Sequence, residues 1–216
     1  MTNLERYQQL MAERPEEFIQ SDKGLQYIIT DMDVLKDYQT KHPNKQLGVV
    51  YESPYHILVV DLLYDGNNGY RTYERILEQE RGAVVVIPIT PDNKFVLLRQ
   101  FRHSVRAEQL TFPRGFGTKG ITSKENARKE TGEEIGADDA KPTFIGEVVA
   151  NSGLSGVRVK VYVFKIRNYR TVYGNEGIVQ ASAYTEAEFT KLIAEDKIND
   201  GFTLSAYTLY HTKTNG

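Results

Sequence analysis

The sequence predicts a mixed α+β fold, and three observations lead there. Two pairs of apolar, extended runs, at 56–77 and 83–101, are each joined by a turn cluster. A capped helical stretch comes next at 122–135, and amphipathic helical patterns stand near both ends of the chain. Hairpins interspersed with a few helices, rather than a regular strand–helix alternation, belong to the α+β class.

The elements are justified in order. Leu4, Tyr7, Leu10 and Met11 recur at helical spacing, so 3–13 reads as a short amphipathic helix. Pro15 and Gly24 punctuate the next stretch, and 25–36 mixes apolar residues with Asp and Thr without a clear period. The polar stretch 37–47, with Pro43 inside it, reads as a loop. HILVVDLLY at 56–64 is strand-like, DGNNG at 65–69 is a turn, and YRTYERIL resumes the extended pattern. AVVVIPIT (83–90), the turn at Pro91-Asp92-Asn93 and KFVLLRQF (94–101) make a second, more apolar hairpin. TFPRGFGTKG (111–120) is a Gly/Pro-rich loop. Thr122 with Glu125 three residues on forms a capping box, and Gly136 stands where a left-handed C-terminal cap belongs. FIGEVVA (144–150) and VKVYVFKI (159–166) are strands. Phe189, Leu192 and Ile193 give 185–195 a helical face, and 203–211 reads as a last helix.

Composition removes several classes of function. The 216 residues carry 27 Lys+Arg against 29 Asp+Glu, a net charge of −2, which lacks the basic footprint of a nucleic-acid binder. With no cysteine, disulfide frameworks, Cys-based zinc sites, iron–sulfur clusters and thiol nucleophiles are ruled out. The four His are scattered. No run of about 18 apolar residues is present to span a membrane. The first residues, MTNLERYQQLMAERPEEF, are charged where a signal peptide has an apolar centre, so we expect a cytoplasmic protein.

The chemistry concentrates in KETGEEIG, residues 129–136. Glu130 stands three residues before Glu133 and four before Glu134, which puts three carboxylates on or near one helix face. Like charges at that spacing repel, so the cluster costs stability unless something offsets it. Divalent hard cations do so: Mg²⁺ takes one or two carboxylates together with substrate phosphates. Taken alone, a solvated acidic face explains the helix as well, because Glu is a good helix former. Pro113-Arg114-Gly115-Phe116-Gly117, just upstream, shifts the balance. A glycine loop lets backbone groups approach a phosphate or metal closely, and strand, glycine loop and acid-bearing helix in that order suit a metal–pyrophosphate site.

These residues resemble the Nudix hydrolase signature, G-x5-E-x7-R-E-U-x-E-E-x-G-U, where U is a bulky aliphatic residue. Gly115, Glu130, Glu133, Glu134 and Gly136 match it in register. RGAVVVIPI, VLLRQFR, the P-x-G loop, the acidic helix and the tail DKINDGFTLSAYTLY succeed one another as in the ADP-ribose pyrophosphatase branch. The resemblance implies an α/β/α sandwich with a mixed sheet at 81–213, an N-terminal helical extension at 1–46 and a dimerising β-hairpin at 47–80. It implies cleavage of the pyrophosphate in a nucleoside diphosphate derivative such as ADP-ribose or a nucleotide sugar, by a homodimer. Glu130, Glu134 and the Arg114 carbonyl would hold Mg²⁺ or Mn²⁺, with Glu133 assisting. Arg102, Arg114 and Gly115 would meet the substrate, and the loop bearing Glu176 would supply a base or a further ligand.

The departures have physical content. The signature's first glutamate falls on Ile121 and its arginine on Lys129, so the ion pair that braces loop against helix in the family is lost as a pair. Glu125 and Arg128 stand nearby as substitutes out of register. Thr111 replaces a glutamate before the loop, Thr131 and Ala137 fill the aliphatic positions, Ser152 falls near where the branch has a specificity-marking proline, and Gly174 falls where it has a further carboxylate. A catalytically weak ligand-binding or regulatory protein on the same scaffold is therefore the alternative expectation.

Overall fold

In the computed structural model the described residues are 1–20, 26–66, 69–137, 141–173 and 176–214. Gly24, the Asn67-Asn68 tip of the DGNNG turn and Gly174 lie outside them. The chain divides into two compact units, one of residues 1–79 with 151–156, the other of 80–150 with 157–216.

The first unit opens with α1 (Asn3–Glu13), started by a capping box between Thr2 and Glu5. It continues through β1 (Tyr27–Ile28), α2 (Met32–Lys41), β2 (Gly48–Glu52), β3 (His56–Tyr64) and β4 (Tyr70–Glu78). β3 is the centre of the sheet. β4 pairs along its whole length, while β2 and β1 share the opposite edge, β2 at 57–60 and β1 at 63–64. Tyr7, Leu10, Leu35, Ile57, Val59 and Leu62 form the core. Asp61, buried among them, accepts hydrogen bonds from the Tyr7 hydroxyl at 2.6 Å and Arg75 Nε at 2.5 Å, which satisfies a charge that burial would otherwise penalise.

One element corrects the sequence reading. The polar stretch 37–47 is half helix, because α2 runs to Lys41. Asp31 caps it by accepting from the N–H groups of Asp33 and Val34, and Leu35 is its only fully buried side chain. So narrow an apolar stripe leaves mostly polar residues in view, which is the pattern of a loop.

The second unit contains β5 (Val84–Ile89), β6 (Phe95–Arg102), β7 (Ala107–Thr111), β8 (Arg114–Gly115), α3 (Ser123–Ile135), β9 (Pro142–Val148), β10 (Val159–Lys165), β11 (Ile178–Tyr184), α4 (Glu186–Ala194) and α5 (Gly201–Thr214). Its mixed sheet has the order β11-β6-β5-β10-β9, with β7 on β6 and β8 on β5. Among the described residues of this sheet, β5 and β10 are the one parallel pair. Alternation along the strands divides the core. Val85, Ile87, Leu97, Val161 and Val163 face one way and pack with Phe189 of α4 and Ala206 of α5. Val84, Val86, Val96, Leu98 and Phe164 face the other way and pack with Ala127 and Ile135 of α3. Both faces of the sheet are thus covered, which is why its central strands read as unbroken apolar runs. The result is the expected α/β/α sandwich.

The hairpin of β5 and β6 and the span of α3 are as the sequence predicts. α3 starts on the Thr122–Glu125 capping box and ends on Gly136 at φ 64°. β2, β7, β8 and β11 were not predicted. β11, IVQASAY, buries only Ile178 and Ala181, so no aliphatic run announces it. Among the described residues no helix is long and apolar enough to cross a membrane.

Candidate active site

The site is assembled where β8 passes the acid-bearing face of α3. Two of the three glutamates turn inward: Glu130 is 7% exposed and Glu134 3%. Glu133, on the outer side of the same turn, keeps half of its side chain in solvent. Glu134 Oε2 accepts a hydrogen bond from the Arg114 N–H at 3.0 Å. Its Oε1 is buried with no hydrogen-bond partner among the described residues. Burial, and then the charges of Glu130 and Glu176, push the Glu134 carboxyl up to about 8. Burial also raises Glu130, against the pull of Lys129.

β8 explains why a glycine and a bare backbone stand here. Gly115 pairs with Val84 and Arg114 with Val85, and the Val86 N–H donates to the Pro113 carbonyl at 2.9 Å. In an antiparallel ladder alternate residues aim both backbone groups away from the partner strand, which puts the Arg114 N–H and C=O on the side of the acids. A Cβ on Gly115 would overlap the Glu130 carboxylate, and one on Gly117 would overlap the carbonyls of Glu80 and Arg81. Only glycine permits these approaches.

Arg102, at the end of β6, is half-buried; its Nε has no partner among the described residues, and one terminal nitrogen reaches Thr111 Oγ1 at 3.4 Å. Burial, with the Arg114 charge, lowers its pKa, and Glu134, Asp200 and Glu176 act in the opposite sense. Arg102 and Glu176 therefore share the electrostatic neighbourhood of Glu134. Glu176 sits at φ 50° with its side chain exposed. Its backbone is tethered: Gln100 Nε2 donates to the Glu176 carbonyl at 2.7 Å, and the Phe101 N–H donates to Gly177 at 3.0 Å.

The structure brings together the Arg114 backbone, Gly115, Glu130 and Glu134, with Arg102 and Glu176 alongside. The Arg114 guanidinium goes elsewhere, donating to Asp200 at 3.0 Å and lying over the Phe202 ring. Asp200 also caps α5 by accepting from Thr203. The supposed substitutes for the lost brace do not serve as one. Glu125 is spent on the Thr122 cap and Arg128 is exposed. Asn126, 1% exposed, takes that place: it donates to the Phe116 carbonyl at 2.7 Å and to Gly82 at 3.2 Å, and accepts from Thr118.

Asn126, Asp200 and Gln100 were missed. Asp200 had a signal, an Asp placed to cap a helix beginning at Gly201. Asn126 and Gln100 had none, because a buried amide is recognisable only from its partners.

Among the described residues no three His, Cys, Asp or Glu side chains form a ready ion cage. Mg²⁺ rarely uses one, keeping waters and substrate phosphates beside one or two carboxylates. The buried Glu134 Oε1, without a hydrogen-bond partner among the described residues, and the Glu130 carboxylate packed against Gly115 are the hard oxygen donors that such a cation takes.

The chain resembles proteins of known name in sequence and in fold. No protein-family profile matches the chain. It is 33% identical over 86 residues to ADP compounds hydrolase NudE of Escherichia coli, across 40% of this chain and 45% of that one. The chain is similar in sequence to this hydrolase over that stretch, and it has the Nudix fold. ADP-ribose pyrophosphatase of Bacillus subtilis is 24% identical over 142 residues, 64% of this chain and 76% of that one. A methanol dehydrogenase activator of Bacillus methanolicus is 29% identical over 126 residues, 58% of this chain and 63% of that one. The chain thus matches less than two-thirds of the length of the activator and of NudE. In three dimensions, a crystal structure of an ADP compounds hydrolase superposes with a TM-score of 0.60 at 21% identity, over 80% of this chain and 97% of that one.

Proposed function

We propose that this Nudix-fold chain is a pyrophosphohydrolase of ADP-linked compounds that works with Mg²⁺ or Mn²⁺. The observation that carries the reading is the buried Glu134 Oε1, unpartnered among the described residues, beside the Glu130 carboxylate that only a glycine at 115 admits. The names of the two related hydrolases support ADP compounds as the substrate class.

Glu130, Glu134 and the Arg114 carbonyl would hold the ion, with Glu133 at the solvent edge. When bound, it supplies a Lewis acid for the pyrophosphate and lowers the pKa of a coordinated water. The Arg102 guanidinium, half-buried and with its Nε unengaged, binds a phosphate oxygen of the substrate. The Glu176 carboxylate accepts the proton of the attacking water, and Gln100 holds the turn that presents it. Asn126 keeps the glycine loop in place while substrate exchanges. The Arg114 side chain serves the scaffold through Asp200, and its backbone serves the site.

The same reading extends to a homodimer formed through the N-terminal unit, whose strands expose Tyr27, Tyr51 and Tyr70. Light scattering is expected to give twice the 24.6 kDa chain mass.

The deciding assay incubates the protein with Mg²⁺ or Mn²⁺ and ADP-ribose, nucleotide sugars and dinucleotides, and tracks the nucleoside monophosphate by chromatography. Product that depends on the ion, and that disappears in E134Q, is the expected result. Tight binding of an ADP compound without product would replace the hydrolase by a nucleotide-sensing protein.

A further inference from the structure

Lys129 occupies the place of the signature's arginine, yet it braces no loop. Ile121, where the matching glutamate would be, is exposed and apolar, and Asn126 already ties loop to helix. The Lys129 ammonium instead lies 3.1 Å from Glu130 Oε1 and 3.1 Å from Glu133 Oε2. Helix stability does not call for this arrangement. A Lys four residues before a Glu is the weaker orientation of that pair, and adjacent residues such as 129 and 130 do not ordinarily face each other. The Lys129 side chain is 40% exposed and that of Glu130 9%, so a solvent-borne stem reaches in to a carboxylate that burial has stripped of water.

We propose that Lys129 is a built-in counter-ion of the acid cluster: it occupies carboxylate oxygens of Glu130 and Glu133 in the metal-free protein, withdraws into solvent when a divalent ion binds, and so sets the ion affinity of the site. The inference rests on the reading of Glu130 and Glu134 as ion ligands. The lysine neutralises part of the repulsion that three clustered carboxylates impose, and it is tethered by a flexible stem, so it leaves without moving the backbone. Partly exposed ion pairs are each worth up to about fivefold in an equilibrium, so removing both is expected to tighten ion binding by roughly tenfold.

Calorimetric titration with Mn²⁺ alone tests this on the whole chain, comparing the natural protein with K129M, K129R and E134Q, and with melting curves before and after Mn²⁺ is added. K129M is expected to bind Mn²⁺ about tenfold more tightly, to melt lower without the ion, and to gain more on its addition. K129R, which keeps the charge, should stay near the natural affinity. Equal or weaker Mn²⁺ binding by K129M, while the natural protein binds and E134Q does not, would overturn the counter-ion role and leave the ion site standing. Absence of Mn²⁺ binding from both the natural protein and K129M would overturn the ion site, and this inference with it. Should K129M fail to fold, K129Q carries the same comparison.

Discussion

Glu134 shows how one side chain is tuned by its surroundings. Its oxygens have different fates: one is held by the Arg114 N–H, the other is buried without a partner among the described residues. The substitution E134Q keeps the shape and removes the charge. We expect kcat to fall on the order of a hundredfold or more, measured as nucleoside monophosphate release, since one positioned ionisable group typically contributes that much. Under the proposed function, the pH profile of the natural protein should rise toward about 8 as this carboxyl ionises, provided the ion is at low concentration; saturating Mn²⁺ should move that limb to lower pH, because metal ligands must be deprotonated. Glu130, Glu133 and Glu134 were legible in the sequence because their spacing is itself the signal. Their division of labour was not, since helical periodicity says which residues share a face but not how deeply that face is buried.

The glycine loop and α3 behave as one device at the scale of elements. The sequence showed that the usual ionic brace was absent at Ile121 and Lys129, and it offered Glu125 and Arg128 in exchange. The brace is a neutral amide instead. N126A would remove the donors that reach the Phe116 and Gly82 carbonyls, at a cost of about 1–3 kcal/mol in stability, read by urea unfolding. Activity should fall with it, while N126D, which loses the donors and adds a charge, should do worse. G115A tests the other contact. The new methyl group would meet the Glu130 carboxylate, and overpacking of this kind costs typically 1–3 kcal/mol. Calorimetry on G115A should also show weakened Mn²⁺ binding, whereas a surface change such as K124A should not. The Thr122–Glu125 capping box was readable at this scale, whereas the boxes at Thr2 and Thr185, which start two further helices, went unread.

For the whole molecule, the buried acids tie stability to pH. A carboxyl raised from 4.5 to about 8 on folding keeps a proton that the unfolded chain has lost. The unfolding free energy of the metal-free protein should therefore fall as pH rises from about 4.5 to about 8 and level off above it. Denaturant titrations across that range check the slope, and E134Q should flatten it. The sandwich was legible because strands covered on both faces are apolar throughout. β11 was not, because a strand that buries so little has no run to display, and α2 was misread because its apolar stripe is narrow. The grouping of 151–156 with the N-terminal unit likewise had no mark in composition.

The ion pair between Arg114 and Asp200 bears on how much of the C-terminus can be dispensed with. Asp200 begins the last helix and, through that guanidinium, steadies the short strand whose backbone faces the acids. A protease nick ahead of residue 200 would thus take away more than an outer layer: it would unclasp the β8 strand from far along the chain, and turnover should vanish before the rest of the sheet loses its order.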